Sequence, residues 1–405
     1  MTPGIAGSTN ILFTWDSPFA DGGGVGRVTE VLAAEFLRKG WQVTYLALCG
    51  GRQTVNQGIT QYFLPDEEKL GSAEHVRYVT QLLKDLQVGY IINQAGTKIE
   101  VLDFLQELHI KHKQPVLSVH HNCVACLREN YRHILTESFQ TKPFFWLIDH
   151  APGWLLLDRY HLVKQGRVFK KAIEVSDRLV LLSKVFVPEV QVYVSDYPEH
   201  KVVGIPNPAS FPVVEGVEKK KENRLVYVGR INYQQKRVDL LLDLWSRIYR
   251  DFPGWHFDIV GDGPDLEDLK RKAEGQRLER IFFHGYQDPR PYLEKAKFFC
   301  MTSAFEGYPM VLVEAQAYGV VPFAFNSFSA IEDIIQPGQT GCILPKFDLA
   351  KYAEALQQLM RDEEQRIQMA QQGQASVGRY TPERIVDRWL ALIEEVELER
   401  KGISR

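Results

Sequence analysis

The chain has 405 residues, a formal net charge of −3, 45% apolar residues and 24% charged residues. That length exceeds what one hydrophobic core ordinarily serves, so two α/β domains are expected, and nothing in the charge balance suggests a nucleic-acid partner. No run reaches the ~18 apolar residues of a membrane span, the first ten residues lack the charged and apolar regions of a signal peptide, and five cysteines make a disulfide framework unexpected, which together predict a cytoplasmic protein.

Short β-rich runs alternate with helical patterns along the chain, the signature of parallel sheets. In the first half, 11–15, 42–48, 89–93, 115–120, 177–182 and 202–205 read as strands, with helices over 25–38, 73–86 and 100–109. The first strand leads through D-S-P-F-A-D-G-G-G-V-G-R-V into a helix, a glycine loop suited to phosphate. A dinucleotide reading fails there. Thr29 stands where the third glycine or alanine belongs, and the next strand ends in Ala47–Gly50 without an acid. The strand 115–120 ends in S-V-H-H-N, which places His120 and His121 at a carboxyl edge, where an imidazole can orient a hydroxyl or accept a proton; a hydrogen-bonded structural imidazole is the alternative. Cys123 and Cys126 form a C-x-x-C, but a structural zinc site needs a second ligand pair and none stands at a comparable spacing. Between Arg128 and Lys171 apolar runs at 144–148 and 154–157 precede Arg159, Lys164, Arg167, Lys170 and Lys171, a mixture that suits either an anionic lipid surface or a core helix.

A polar connection, V-E-G-V-E-K-K-K-E-N, leads to a second series of strands at 224–228, 256–260, 281–284, 297–301, 320–325 and 340–344. After the first of these comes V-G-R-I-N-Y-Q-Q-K-R, where Arg230 and Lys236 can neutralise a diphosphate leaving group: arginine offers a planar fork of donors, lysine a compact charge. The second ends in I-V-G-D-G-P, a turn built on Gly261 and Gly263, and the third carries His284 on the same rim. The fourth leads into S-A-F-E-G-Y-P-M-V-L-V-E-A-Q-A-Y-G, residues 303–319. Here Glu306 precedes a helix and Glu314 lies within it. Gly307 permits close backbone approach, Pro309 suits the first helical position, and the amides of Met310, Val311 and Leu312, added to the helix dipole, make an anion site beside Tyr308. Carboxylates flanking a phosphate seek hydroxyls, which describes a nucleoside diphosphate sugar. Finally, Ile385, Trp389, Leu392, Ile393 and Val396 line one stripe of a terminal helix that needs a surface to cover.

The spacings S-x-x-E-G-(aromatic)-x-x-x-x-x-E-A and G-R-x5-K together resemble the retaining glycosyltransferases of family 4, and V-H-H stands where many members carry V-H-D. That resemblance implies two Rossmann-like domains facing a deep cleft, the GT-B fold. Residues 1–209 would form the acceptor domain and 210–380 the donor domain, with 381–405 crossing back as a helix onto the first. It further implies transfer of a hexosyl group with retention, Glu306, Arg230, Lys236 and His120 as catalytic residues, and Glu314, Gly307, Tyr308, Met310, Val311, Gly261, Gly263, His284, Gly23 and Gly24 at the donor. The expected donor is a UDP- or GDP-sugar and the acceptor a saccharide or lipid-linked saccharide of cell-surface polysaccharide or lipopolysaccharide synthesis. No D-x-D occurs, so neither metal nor cofactor is expected. Possible contact with the membrane is peripheral. The rival readings are a nucleotide-sugar epimerase and a noncatalytic sugar-nucleotide binder.

Overall fold

A computed structural model describes residues 9–19, 23–56, 58–65, 70–112, 114–125, 128, 130, 151–215 and 221–403. The chain divides into two units: Met1–Val124 with Ile148–Ser210 and Tyr380–Arg405, and Ala125–Leu147 with Phe211–Arg379.

The first unit holds an eight-stranded sheet in the order β3-β4-β2-β1-β5-β6-β7-β8. Its strands are β1 Asn10–Trp15, β2 Gln42–Gly50, β3 Thr54–Asn56, β4 Ile59–Leu64, β5 Val88–Asn93, β6 Val116–His120, β7 Arg178–Leu181 and β8 Val202–Gly204. Only β3 runs antiparallel to its neighbour. Because β1, β2, β5, β6 and β7 lie inside the sheet, they read as near-continuous apolar runs, with Ile11, Leu12, Phe13, Leu46, Ile91, Ile92, Leu117 and Val180 almost fully buried. Helices α1 Gly23–Arg38, α2 Ala73–Asp85, α3 Ile99–His112 and α4 Ala151–Val175 belong to this unit. The sequence reading missed β3 and β4. They lie at the sheet edge, and β4 carries Gln61 and Tyr62 in a short run without clean alternation.

The second unit holds six parallel strands in the order β11-β10-β9-β12-β13-β14. These are β9 Arg224–Val228, β10 His256–Val260, β11 Ile281–Gly285, β12 Phe298–Met301, β13 Val321–Phe325 and β14 Cys342–Leu344. Numbered from β9, this is the 3-2-1-4-5-6 order of the Rossmann fold, whose order reverses between β9 and β12; ligands of such sheets bind beyond the carboxyl ends of the strands at that reversal. Helix α5 Asp239–Ser246 buries Leu241, Leu242, Leu244 and Trp245 against the sheet, α6 Leu266–Gly275 buries Leu269, and α7 Met310–Ala317 is buried over most of its length. The helices α8 Leu349–Arg361 and α9 Glu363–Val377 complete the unit. The fully buried Tyr352 of α8 donates its hydroxyl to Phe323 O at 2.8 Å and accepts from Met301 N at 3.2 Å, which fixes the end of β12.

The last helix, α10 Pro382–Arg400, packs in the first unit against α1. Its stripe of Ile385, Val386, Trp389, Leu392, Ile393 and Val396 is buried. Around it, Lys39 Nζ lies 2.6 Å from Asp387, Arg178 Nη2 donates to Glu399 Oε1 at 2.6 Å, Arg388 Nη2 donates to Gly204 O at 2.7 Å, and Tyr90 donates its hydroxyl to Glu397.

Candidate active site

In the second unit the site grows from the reversal between β9 and β12. After β9 the chain passes Gly229 and Arg230, then makes a single helical turn, Tyr233–Lys236. Asn232 caps this turn by accepting from Gln235 N at 2.8 Å, and Arg237 ends it in the left-handed region at φ +46°. The loop lies backbone on backbone with the one after β10: Gly229 N donates to Val260 O at 3.0 Å and Ile231 N to Asp262 O at 2.8 Å. A Cβ on Gly261, whose φ is +148°, would sit 1.8 Å from Gly229 O, and one on Gly263 would sit 2.1 Å from Ile231 O. The two glycines are therefore required by this contact between loops. Arg230 is exposed, and its carbonyl accepts from the buried Tyr227 hydroxyl at 2.8 Å.

From β12 the segment Thr302–Glu306 crosses onto that turn. Thr302 Oγ1 bonds to Arg237 O at 2.8 Å and Lys236 O at 3.2 Å, and Ala304 N donates to Gln235 O at 2.7 Å. This lattice brings Lys236 Nζ to 2.6 and 2.9 Å from the two carboxylate oxygens of Glu306, while Ser303 Oγ donates to Oε1 at 2.6 Å. Glu306 is 4% exposed and Ser303 wholly buried, so the carboxyl group is held in a fixed pose between the lysine ammonium and a hydroxyl. Burial, with the Glu306 charge added, pushes the Tyr227 phenol well above its ordinary value, so it stays a neutral donor.

Helix α7 begins one residue later than the sequence reading held. Pro309 is its N-cap with ψ 93°, too extended to be the first helical residue, and Leu312 N donates back to Pro309 O at 3.1 Å. Leu312 therefore does not join the anion site, which leaves Met310 and Val311 as its first-turn amides. Gly307 and Tyr308 lie between Glu306 and this helix start, and Glu314 in the second turn is buried at 5% exposure. His284 is more committed than its sequence position indicates. Its Nε2 lies 2.8 Å from Oδ1 of the buried Asp258, which also accepts from Arg224 at 3.0 Å, and its ring packs on Tyr292. Sequence reasoning missed Ser303 and Thr302 as positioning residues; the signal lay in S-x-x-E, where a hydroxyl three residues before an acid can turn back onto it.

The first unit carries the other predicted residues. Gly23 opens α1 at φ +54°, and Gly24 is exposed with open space around it. The close approach belongs instead to Gly26, where a Cβ would meet Phe19 O at 2.3 Å. Thr29, at the third glycine position, donates its hydroxyl to Val25 O within the helix. At the end of β6, His120 Nδ1 lies 2.9 Å from Thr97 Oγ1 and its ring meets Phe169 edge-on at 5.3 Å. Burial lowers the His120 pKa to about 4. His121 Nε2 lies 2.7 Å from Gln94 Oε1, and burial together with His120 lowers it to about 3. Both imidazoles are neutral at physiological pH. Cys123 is disulfide-bonded; Cys126 and the apolar run 144–148 lie outside the described residues.

A model for glycosyl transferases of group 1 matches residues 214–376, which span the whole of this site and nearly all of the second unit's main segment. The second unit is a group 1 glycosyltransferase domain. An uncharacterized glycosyltransferase of Haemophilus influenzae is 22% identical over 92% of this chain and 96% of its own length. The lipopolysaccharide 1,6-galactosyltransferase of Escherichia coli K12 is 32% identical over 37% of this chain and 43% of its own length. Among solved structures, Anabaena HepE in complex with UDP and glucose aligns with a TM-score of 0.69 and 14% identity, covering 96% of this chain and 100% of that one. Structural likeness across both units places the glycosyltransferase domain within a two-Rossmann, GT-B fold.

Proposed function

We propose that this glycosyltransferase belongs to family 4 and moves a hexosyl group, with retention, from a nucleotide diphosphate sugar to a hydroxyl of a saccharide or lipid-linked saccharide acceptor. The observation that carries the reading is the Lys236–Glu306–Ser303 constellation at the strand-order reversal, directly before the helix that bears Glu314. In this reading Lys236 and Arg230 neutralise the diphosphate as the bond from the anomeric carbon to its leaving oxygen breaks. The acceptor oxygen bonds to that carbon on the same face, and its proton passes to the departing phosphate oxygen. Glu306 holds hydroxyls of the sugar, the amides of Met310 and Val311 hold phosphate oxygens, and Glu314 accepts from the ribose diol. Neutral His120 orients a hydroxyl rather than adding charge.

A UDP- or GDP-sugar is the proposed donor. The UDP and glucose named for the Anabaena relative and the galactosyltransferase title of the E. coli relative support that class of donor and a role in surface polysaccharide or lipopolysaccharide synthesis. Two cations and the absence of any D-x-D sequence support a metal-independent reaction. Cytoplasmic residence with peripheral contact at the membrane completes the proposal.

The test is a thermal-shift screen against UDP, GDP, ADP and their sugars, followed by transfer assays in excess EDTA. A rise in melting temperature with one nucleotide family and undiminished transfer support the reading. A loss of transfer restored by magnesium refutes metal independence, and interconversion of the donor without acceptor refutes transfer as the reaction.

A further inference from the structure

We propose that the outward face of α4 docks onto an anionic lipid bilayer. This rests on the peripheral-association part of the functional reading and names the face responsible. One side of α4 belongs to the core of its unit: Trp154, His161, Phe169, Ala172 and Ile173 are all at least nine-tenths buried. At about 100° per residue, positions 156, 159, 160, 163, 164, 167 and 170 fall on the opposite half of the helix, and 155, in its first turn, stands at the margin between the two halves. There Leu155 is 62% exposed, Leu156 69%, Tyr160 63% and Val163 54%. Large apolar side chains exposed singly need no explanation, but Leu156, Tyr160 and Val163 on a single helical stripe, with Leu155 exposed at its margin, require something to cover them.

The same stripe interleaves these side chains with Arg159, Lys164, Arg167 and Lys170. Among the described residues the first three have no carboxylate within ion-pair distance, and Lys170 has only Glu174 at 3.9 Å. Arg167, Lys170 and Val163 continue into a groove of about 560 Å³ whose far wall includes Val192, itself 52% exposed. Apolar tips and long-stemmed cations in one plane suit a bilayer interface: the tips enter the acyl boundary while the cations reach up to lipid phosphates. Charge decides between occupants. A second copy docking through this face would set unpaired cations against their own symmetry mates, and the chain as a whole is net negative, so the attraction is local to this stripe and directed at an anionic plane.

The experiment is co-sedimentation of the full chain with vesicles of phosphatidylcholine alone or with about 30 mol% phosphatidylglycerol, at low and high salt. Two variants accompany the wild type, Leu155→Glu with Leu156→Glu, and Arg159→Glu with Lys164→Glu and Arg167→Glu; all five positions are exposed, and unchanged circular dichroism and melting temperature confirm folding. The wild type should partition onto the anionic vesicles at least about tenfold more strongly than onto neutral ones, and each variant should lose about tenfold or more, the charge variant also losing the salt dependence. Wild-type protein that ignores anionic vesicles overturns the peripheral reading and this inference together. Binding that persists unchanged in both variants overturns this inference alone. A concentration-dependent dimer abolished by the leucine variant, without vesicle binding, assigns the stripe to a second copy and also overturns it.

Discussion

Glu306 sits in a nearly dry site where Lys236 and Ser303 hold it in place, so each partner has its own measurable consequence. Lys236→Met removes the cation and leaves a buried charge, which should cost about 3 kcal/mol of stability in urea unfolding and reduce transfer at least about 100-fold. Ser303→Ala keeps the ion pair but frees the carboxylate to rotate. It should cost about 1.5–3 kcal/mol, and the deficit should fall on kcat more than on the affinity for nucleotide. At the glycines, backbone contact predicts a sharp contrast: Gly261→Ala should destabilise by about 3 kcal/mol or more, since the methyl would overlap Gly229 O, whereas Gly254→Ala, with open space around it, should fall within about 0.5 kcal/mol of wild type. His120, with a folded pKa of about 4, takes up fewer protons than the unfolded chain between that value and its ordinary value near 6.5. The stability it contributes is therefore fully present above about pH 6.5 and lost as pH falls towards 4. Its imidazole NMR signals should not titrate between about pH 8 and 5.5, and His120→Asn should flatten the acid side of the stability profile.

At the level of elements, α10 is held to the first unit by one apolar stripe and a ring of polar contacts at its margins. Trp389 is 3% exposed, and Trp389→Ala should cost about 3–5 kcal/mol, read as a fall in the denaturation midpoint without loss of secondary structure elsewhere. Glu399→Ala is the more specific test of the margin, because Arg178 is buried at 2% exposure and donates to Glu399. The apolar spacing of α10 was legible in the sequence, since a helix with one apolar face implies a covering surface. The identity of that surface was not, because Lys39, Tyr90 and Arg178 come from three distant parts of the chain. Strand β12 makes a similar point. Its apolar run announced it, yet Tyr352, from a helix far along the chain, fixes its end, and no local pattern reports such a partner.

For the molecule as a whole, two Rossmann sheets with separate hydrophobic cores argue against a single cooperative unfolding step. Nucleotide should protect amides by hydrogen exchange at 229–236, 261–263 and 303–312 of the second unit; protection confined to the first unit would place the donor elsewhere. Alternation of apolar runs and helical patterns was enough to identify two α/β units, because parallel strands buried on both faces cannot hide their composition. The motif spacings likewise singled out Arg230, Lys236, Glu306 and Glu314 as candidates, since residues near a strand end and a helix start are close together in sequence, and the structure brings Lys236 onto Glu306. Only the tertiary structure decided that Ser303 and Thr302 set the pose of Glu306, that Gly26 and not Gly24 is sterically required, that Asp258 engages His284, and that four apolar tips of α4 face outward. Each of these depends on which distant backbone lies a few ångströms away, and a one-dimensional pattern fixes periodicity while leaving that neighbour unspecified.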